Sequence, residues 1–322
     1  MCAISVEERK TPLCSIVVPC YNEEIALPIF FHTLLPIING MTEKHRTLDW
    51  EIWIIDDGSV DDTLKVAKDF HQREERIHYL SFSRNFGKEA AIYAGLQNVR
   101  GDYVVTMDVD LQDPPSLLPD MYRAVTEEGY DCVATRRVSR KGEPVVRSFF
   151  ARRFYRLLNR ISNTGVVDGA RDFRFMKRQV VNAILSMKEY NRFSKGIYEW
   201  VGFKTKYLEY ENVERSAGQT KWSFWKLFKY SIEGIVAFST APLAIASVGG
   251  IFLCMIAFIM IVFLILRALM FGDPVAGWPS MACIIIFLGG VQLFSSGILG
   301  MYLSRTYLEC KKRPLYIMQE SE

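Results

Sequence analysis

Two long stretches without a charged side chain constrain this chain more than any other feature. No Asp, Glu, Lys or Arg lies between Glu233 and Arg267, and none lies between Asp273 and Arg305. Each reads as a membrane-spanning helix, with half of a buried helical hairpin in a soluble protein as the alternative. Each also exceeds the roughly 20 apolar residues that cross a bilayer core. Pro242 marks the start of the first span, placed at about Leu243 to Leu269, and the second is placed at about Pro279 to Leu303. The connector, Phe271 to Trp278, holds no Lys or Arg, whereas Lys221, Lys226 and Lys229 precede the pair and Arg305, Lys311, Lys312 and Arg313 follow it. By the positive-inside rule the chain is expected to be a multi-pass protein of the inner (plasma) membrane, with its large N-terminal region and both termini cytoplasmic. Trp222, Phe224, Trp225, Leu227 and Phe228 interleave with lysines as an interfacial helix would. The expected organisation is a cytosolic domain over residues 1–215 and a juxtamembrane loop with an interfacial helix over 216–238. A helical hairpin over 239–304 and a tail over 305–322 complete it.

The N-terminal region alternates short apolar runs with helical patterns. Ser15–Pro19, Glu51–Ile55, Arg76–Phe82, Asp102–Met107 and Asp131–Thr135 read as buried strands. Helices are expected up to Leu35, from Asp61 or Asp62 to Phe70, and over Lys88–Asn98. This order predicts an α/β fold with a mostly parallel sheet covered on both faces. Ligands of such sheets bind at the carboxyl ends of the strands. The polar motifs of this region all fall at such ends.

The most telling motif follows the fourth strand: Asp108-Val109-Asp110-Leu111-Gln112-Asp113-Pro114-Pro115. Asp is a poor strand residue, and hard oxygen ligands at a rigid strand end suit Mg²⁺ or Mn²⁺ shared with substrate phosphates. A solvated turn that caps the next helix is the alternative. Asp56-Asp57-Gly58-Ser59 ends the second strand, where either Asp accepts hydrogen bonds from a base or ribose, or caps a helix. Arg136 closes the fifth strand at the same edge, and Arg215 and Lys221 flank Gly218 in a loop suited to a phosphate or to anionic lipid. A basic amphipathic helix is expected within Pro144 to Ile161, either in a membrane interface or as a surface helix with its apolar stripe on the domain core. Seven scattered cysteines without a C-x-x-C pair, and four histidines without ligand spacing, predict reduced thiols and no zinc. A net charge of +3 gives no reason to expect nucleic acid, and the charged start, Glu7 to Lys10, is not expected to be a signal peptide.

Taken together, Val18-Pro19-Cys20-Tyr21-Asn22-Glu23-Glu24, Asp56-Asp57-Gly58-Ser59, Asp108 to Pro115, Asp172-Phe173-Arg174 and Arg215 to Lys221 resemble the polyprenyl-phosphate glycosyltransferases of the family 2 glycosyltransferases. The likeness is to the bactoprenol glucosyltransferase branch, related to the dolichol-phosphate mannose synthases, and it covers nearly the whole chain. It implies a Rossmann-like nucleotide-diphospho-sugar transferase domain and inverting, single-displacement transfer of a hexose to undecaprenyl (polyprenyl) phosphate. The branch favours UDP-glucose as donor. No residue separates it from UDP-N-acetylglucosamine, UDP-galactose or GDP-mannose. By the same resemblance Pro19, Tyr21, Glu23, Asp57, Asp108, Val109, Lys195, Arg215 and Lys221 contact the nucleotide sugar. Asp108, Asp110 and Gln112 hold Mg²⁺ or Mn²⁺. Arg136, Arg174, Arg215 and Lys221 meet the acceptor phosphate. Asp110, Asp172 and Arg136 are the catalytic candidates, Asp172 as base or orienting group. Asp113 is expected only to turn the chain toward Pro114. A flippase, a downstream transferase that uses the lipid-linked sugar for lipopolysaccharide, teichoic acid or cell-wall modification, and a homo-oligomer are the expected partners. A processive polysaccharide synthase is a poorer match, because Thr220-Lys221-Trp222 lacks the Arg-Trp such enzymes carry and two spans form no channel. A membrane-tethered scaffold without catalysis would not need carboxylates at every strand end.

Overall fold

A computed structural model describes residues 11–44, 48–138, 167, 169–211, 240–271 and 277–322. The amphipathic helix expected within 144–161, Asp168, Arg215, Lys221 and the interfacial helix lie outside the described residues. The first half of the domain runs β1 (Leu13–Cys20), α1 (Ala26–Lys44), β2 (Asp49–Asp56), α2 (Thr63–Arg73), β3 (Ile77–Phe82), α3 (Lys88–Asn98) and β4 (Tyr103–Thr106). A 3-10 turn at Pro115–Leu117 then leads into α4 (Leu118–Thr126) and β5 (Cys132–Arg137). β6 (Ala170–Lys177), α5 (Arg178–Ser186), α6 (Ser194–Trp200) and β7 (Thr205–Tyr210) follow. The C-terminal part is α7 (Ala241–Phe271), α8 (Trp278–Lys311) and β8 (Met318–Ser321).

Among the described residues one eight-stranded sheet runs β7-β5-β6-β4-β1-β2-β3-β8. β1 pairs in parallel with β2 and β4, β2 with β3, and β5 with β7. β6 is antiparallel to both of its neighbours and β8 is antiparallel to β3. The expected mostly parallel α/β sheet is therefore present. Period-two alternation divides the core between its faces. Ile16, Val18, Ile54, Val105 and Met107 pack under Phe30, Phe31 and Leu34 of α1 and Met121 of α4. Val17, Ile55, Leu80 and Val104 face α3, α5 and α6 on the other side. α3 lies so close to β1 that a Cβ on Gly95 would come within 2.2 Å of a Val17 methyl, so that position accepts glycine alone.

α7 and α8 are long and apolar enough to cross a membrane by length and composition. At 31 and 34 residues they extend about 46 and 51 Å, beyond the hydrocarbon thickness of about 30 Å. Large apolar side chains such as Leu293, 76% exposed, have no protein covering among the described residues. Such a surface is not left to water, and it marks the chain as membrane-associated.

The end of the chain departs from expectation. Residues 305–322 are not a separate tail: α8 continues to Lys311, and β8 then returns to the domain as the edge strand beside β3. Lys68 Nζ meets Glu320 at 2.7 Å, and the Tyr316 ring stacks on Phe82 with centroids 4.9 Å apart. The strand closes an edge that would otherwise present unpaired backbone groups.

Candidate active site

Three strand ends and two helix starts build the site. At the first, the loop after β1 is tied to the loop after β2. Asn22 N donates to Ser59 Oγ at 2.9 Å, Glu23 N to Thr63 Oγ1 at 2.8 Å, and Asp57 N to the Cys20 carbonyl at 2.9 Å. Gly58 has φ +65, and a Cβ there would lie 2.4 Å from the Arg84 carbonyl carbon, so only glycine passes. The two aspartates before it have separate tasks. Asp56 accepts from Ser59 N at 3.1 Å and Ser81 Oγ at 2.7 Å, which fixes the turn. Asp57 accepts from Phe86 N at 2.6 Å and Gly87 N at 2.9 Å. Burial pushes its carboxyl up to about 6, against the pull of those two amides. Tyr21 stands exposed and Pro19 half-buried at this rim.

At the second, the chain leaves β4 through Asp108, Val109 and Asp110. Val109 is buried in the core, so its side chain, expected at the nucleotide sugar, offers it no contact. Leu111 adopts a left-handed φ of 56, unusual for a branched residue and a local strain of roughly 1–2 kcal/mol. Gln112 N donates back to Asp110 Oδ1 at 3.2 Å. Asp113 is not a surface turn residue, contrary to expectation. It is 1% exposed and accepts from Arg171 Nε at 3.2 and 3.3 Å and from the Tyr210 hydroxyl. The same guanidinium donates to Gln112 Oε1 at 3.2 Å. Two consecutive residues of the motif are thus clamped by β6 and β7.

At the third, Asp172 of β6 faces Asp108, and the Lys88 ammonium lies between them, 2.8 Å from Asp108 and 2.6 Å from Asp172. Burial works against the charge on Asp172. Lys88, Lys195 and Arg171 outweigh it and hold the carboxyl well below the usual carboxylate range. Burial likewise opposes the charge on Lys88, and Asp108 and Asp172 overcome it and keep the ammonium firmly protonated. Asp172 is therefore a carboxylate at neutral pH, able to orient a cation but neither an acid nor a strong base. Lys195, half-buried in the first turn of α6, belongs to this cluster.

Arg136 is the second-last residue of β5, and its guanidinium reaches Glu209 at 3.3 Å at the carboxyl edge. Arg174, expected at the acceptor phosphate, is 1% exposed. It lies under α6, with its guanidinium 4.1 Å from the centre of the Tyr198 ring and 3.6 Å from Glu199. A buried cation so enclosed props α6 against the sheet and cannot meet a ligand.

Among the described residues no group of three or more His, Cys, Asp or Glu side chains is placed to hold a metal by itself. Two carboxylates and one amide oxygen, on Asp108, Asp110 and Gln112, are nonetheless a hard-oxygen set of the sort Mg²⁺ or Mn²⁺ completes with water and substrate phosphate. Asp108 and Gln112 each present an oxygen that accepts from a protein cation, Lys88 and Arg171 respectively. The donor set fits.

Lys88, Glu89 and Arg171 stand outside the site residues that the sequence motifs predict. Lys88 had one signal, its place just after Gly87 at the carboxyl end of the third strand, the edge where ligands bind.

A profile described as glycosyl transferase family 2 matches residues 15–185. A prophage bactoprenol glucosyl transferase homolog of Escherichia coli is 42% identical over 95% of this chain and 98% of its own length. The bactoprenol glucosyl transferase of Shigella phage SfII is 41% identical over 95% of this chain and 97% of its own. Among solved structures, glucosyl-3-phosphoglycerate synthase from Mycobacterium tuberculosis, in complex with Mn²⁺, UDP-glucose and phosphoglyceric acid, superposes with a TM-score of 0.48 at 19% identity. That match covers 70% of this chain and 78% of the other.

Proposed function

The chain belongs to glycosyl transferase family 2, and we propose that it moves glucose from UDP-glucose to undecaprenyl or another polyprenyl phosphate at the cytoplasmic membrane face. The observation that carries this reading is the joining of two features in one chain. A carboxylate and cation cluster stands at the carboxyl edge of an α/β sheet, and two apolar helices keep that sheet beside lipid. The names of the relatives, full-length matches above 40% identity, support the sugar and the lipid. The return of β8 to β3 supports a two-pass hairpin, because the segment after α8 must share a compartment with the domain it completes.

In the mechanism an oxygen of the lipid phosphate attacks the anomeric carbon from the face opposite UDP. The new C–O bond forms as the bond to the β-phosphate breaks, and the electron pair leaves with UDP, so the anomeric configuration inverts. A polyprenyl phosphate is already an anionic nucleophile near neutral pH, so alignment matters more than a strong base. Asp172, held ionised, orients the acceptor. Asp57, Tyr21, Glu23 and Pro19 form the nucleotide side. Arg136, Lys195, Arg215 and Lys221 meet the diphosphate and the lipid phosphate. Asp108, Asp110 and Gln112 would hold Mg²⁺ or Mn²⁺, which supplies Lewis-acid neutralisation of the leaving diphosphate.

Purified protein in detergent, given Mg²⁺ or Mn²⁺, a polyprenyl phosphate and a panel of labelled nucleotide sugars, tests the reading. Glucose should pass from UDP-glucose to the lipid, and Asp110→Asn should abolish transfer while the thermal unfolding midpoint is kept. Preference for another nucleotide sugar would overturn the donor, and transfer to no polyprenyl phosphate would overturn the acceptor class.

A further inference from the structure

We propose that Lys88 is a positioning residue for the transfer, a fixed internal cation that holds Asp108 and Asp172 at their working separation. The inference rests on the proposed function and adds a role to its site. β4 and β6 are antiparallel neighbours whose described pairing ends at Thr106↔Arg174. Continued by two residues, that register sets Asp108 opposite Asp172. Like charges directly opposite on neighbouring strands repel. Lys88 resolves the conflict from a third element, with its ammonium 2.8 Å from one carboxylate and 2.6 Å from the other.

The backbone around Lys88 is pinned on both sides. Before it, Phe86 N and Gly87 N donate to Asp57 at 2.6 and 2.9 Å. After it, the Glu89 carboxylate accepts from Ser194 N at 3.1 Å and from the Ser194 hydroxyl at the start of α6. Asp172 is anchored as well, because its carbonyl accepts from Thr106 Oγ1 at 2.6 Å. A long, flexible lysine ordinarily loses entropy when fixed. Here α3 starts at that place because the nucleotide side of the site holds it, which links donor pocket to catalytic carboxylates through one helix start. The side chain is still 45% exposed, so it borders the space that substrates enter. Lys88 forms and breaks no covalent bond. Without it, Asp108 and Asp172 repel each other and the arriving phosphates, and Asp172 no longer points at the acceptor.

The test uses the full chain in detergent with UDP-glucose, Mn²⁺ and polyprenyl phosphate, and compares Lys88→Met, Lys88→Arg, Asp172→Asn and Lys88→Met/Asp172→Asn. Lys88→Met should lower kcat about 100-fold, the loss a misplacement near 1 Å brings, with KM for UDP-glucose within about threefold. Lys88→Arg should recover about tenfold of that loss, and Lys88→Met should cost under about threefold once Asp172 is Asn. With rates taken per folded enzyme, a merely structural lysine would cut the yield of folded protein, leave kcat and KM unchanged, and would not couple to Asp172. Denaturant unfolding without ligands supplies an arm independent of the acceptor. There the two substitutions should couple by at least about threefold in the unfolding equilibrium constant. Coupling without transfer to polyprenyl phosphate would sink the functional reading and leave Lys88 standing. Additive effects in both arms, or an unchanged kcat in Lys88→Met, would overturn the role of Lys88.

Discussion

Asp113→Asn is the substitution whose outcome depends most directly on the tertiary structure. Asp113 is 1% exposed, and its partners are Arg171, with a side chain 25% exposed, and the buried Tyr210 hydroxyl. Burial pushes the Asp113 carboxyl above its ordinary range although Arg171 stands beside it. Burial also opposes the charge on Arg171, and Asp113 reverses that and holds the guanidinium more firmly charged. Desolvation and attraction thus nearly offset each other, and the pair as a whole adds little stability. Removing one partner is different, since it strands the other. Breaking a fully buried pair costs about 3–5 kcal/mol, and the partial exposure of Arg171 reduces that to about 2–3 kcal/mol. For a domain of this size the midpoint should fall by roughly 5–10 °C. The released Arg171 also loosens its hold on Gln112, so transfer should drop about 100-fold through displacement of the loop proposed to hold the metal. Thermal unfolding in detergent and initial rates with UDP-glucose measure the two effects. The double variant Asp113→Asn/Arg171→Met should regain most of the stability, because no charge is then left alone. A single variant within about 0.5 kcal/mol of wild type, or a double variant worse than the single, would refute the reasoning.

Asp57 gives a pH dependence of known sign. Its folded-state pKa of about 6 lies above its ordinary 3.8, so its contribution to stability is present below about pH 4 and lost as pH rises through about 6. Asp57→Asn lacks that dependence, so denaturant titrations should find its stability relative to wild type rising by up to about 3 kcal/mol between pH 4 and 6, then level. A flat difference would place the Asp57 carboxyl in water. Truncation after Ile317 removes β8 and its Lys68–Glu320 pair, and should lower the unfolding midpoint and promote aggregation through the uncovered β3 edge. An unchanged midpoint and a monodisperse elution profile would show that the strand adds nothing.

Much of this molecule was legible from local pattern. Apolar runs such as Ser15–Pro19 and Glu51–Ile55 announce buried strands, because a residue's place in a strand or helix is written in its neighbours' periodicity. The charge-free stretches announce α7 and α8 for a similar reason, since exclusion of charge is summed along a segment. The position of the Asp108–Asp113 motif at a strand end also follows from chain order alone. What each motif residue does there required the folded register. Lys88, Asp108 and Asp172 come from three elements, and Lys88 and Asp172 meet across 84 residues. Asp113 finds Tyr210 across 97. Arg174 shares a strand with Asp172 two residues away, yet one carries the site's charge and the other is sealed beneath α6. β8 has no strand signal strong enough to stand alone and exists because β3 offers an edge. Local pattern thus specified the first five strands, the site's edge and the two apolar helices, since those depend on short-range periodicity and composition. Only the tertiary structure decided which carboxylates keep a cation, because ion pairing and burial depend on which distant side chains the sheet brings together.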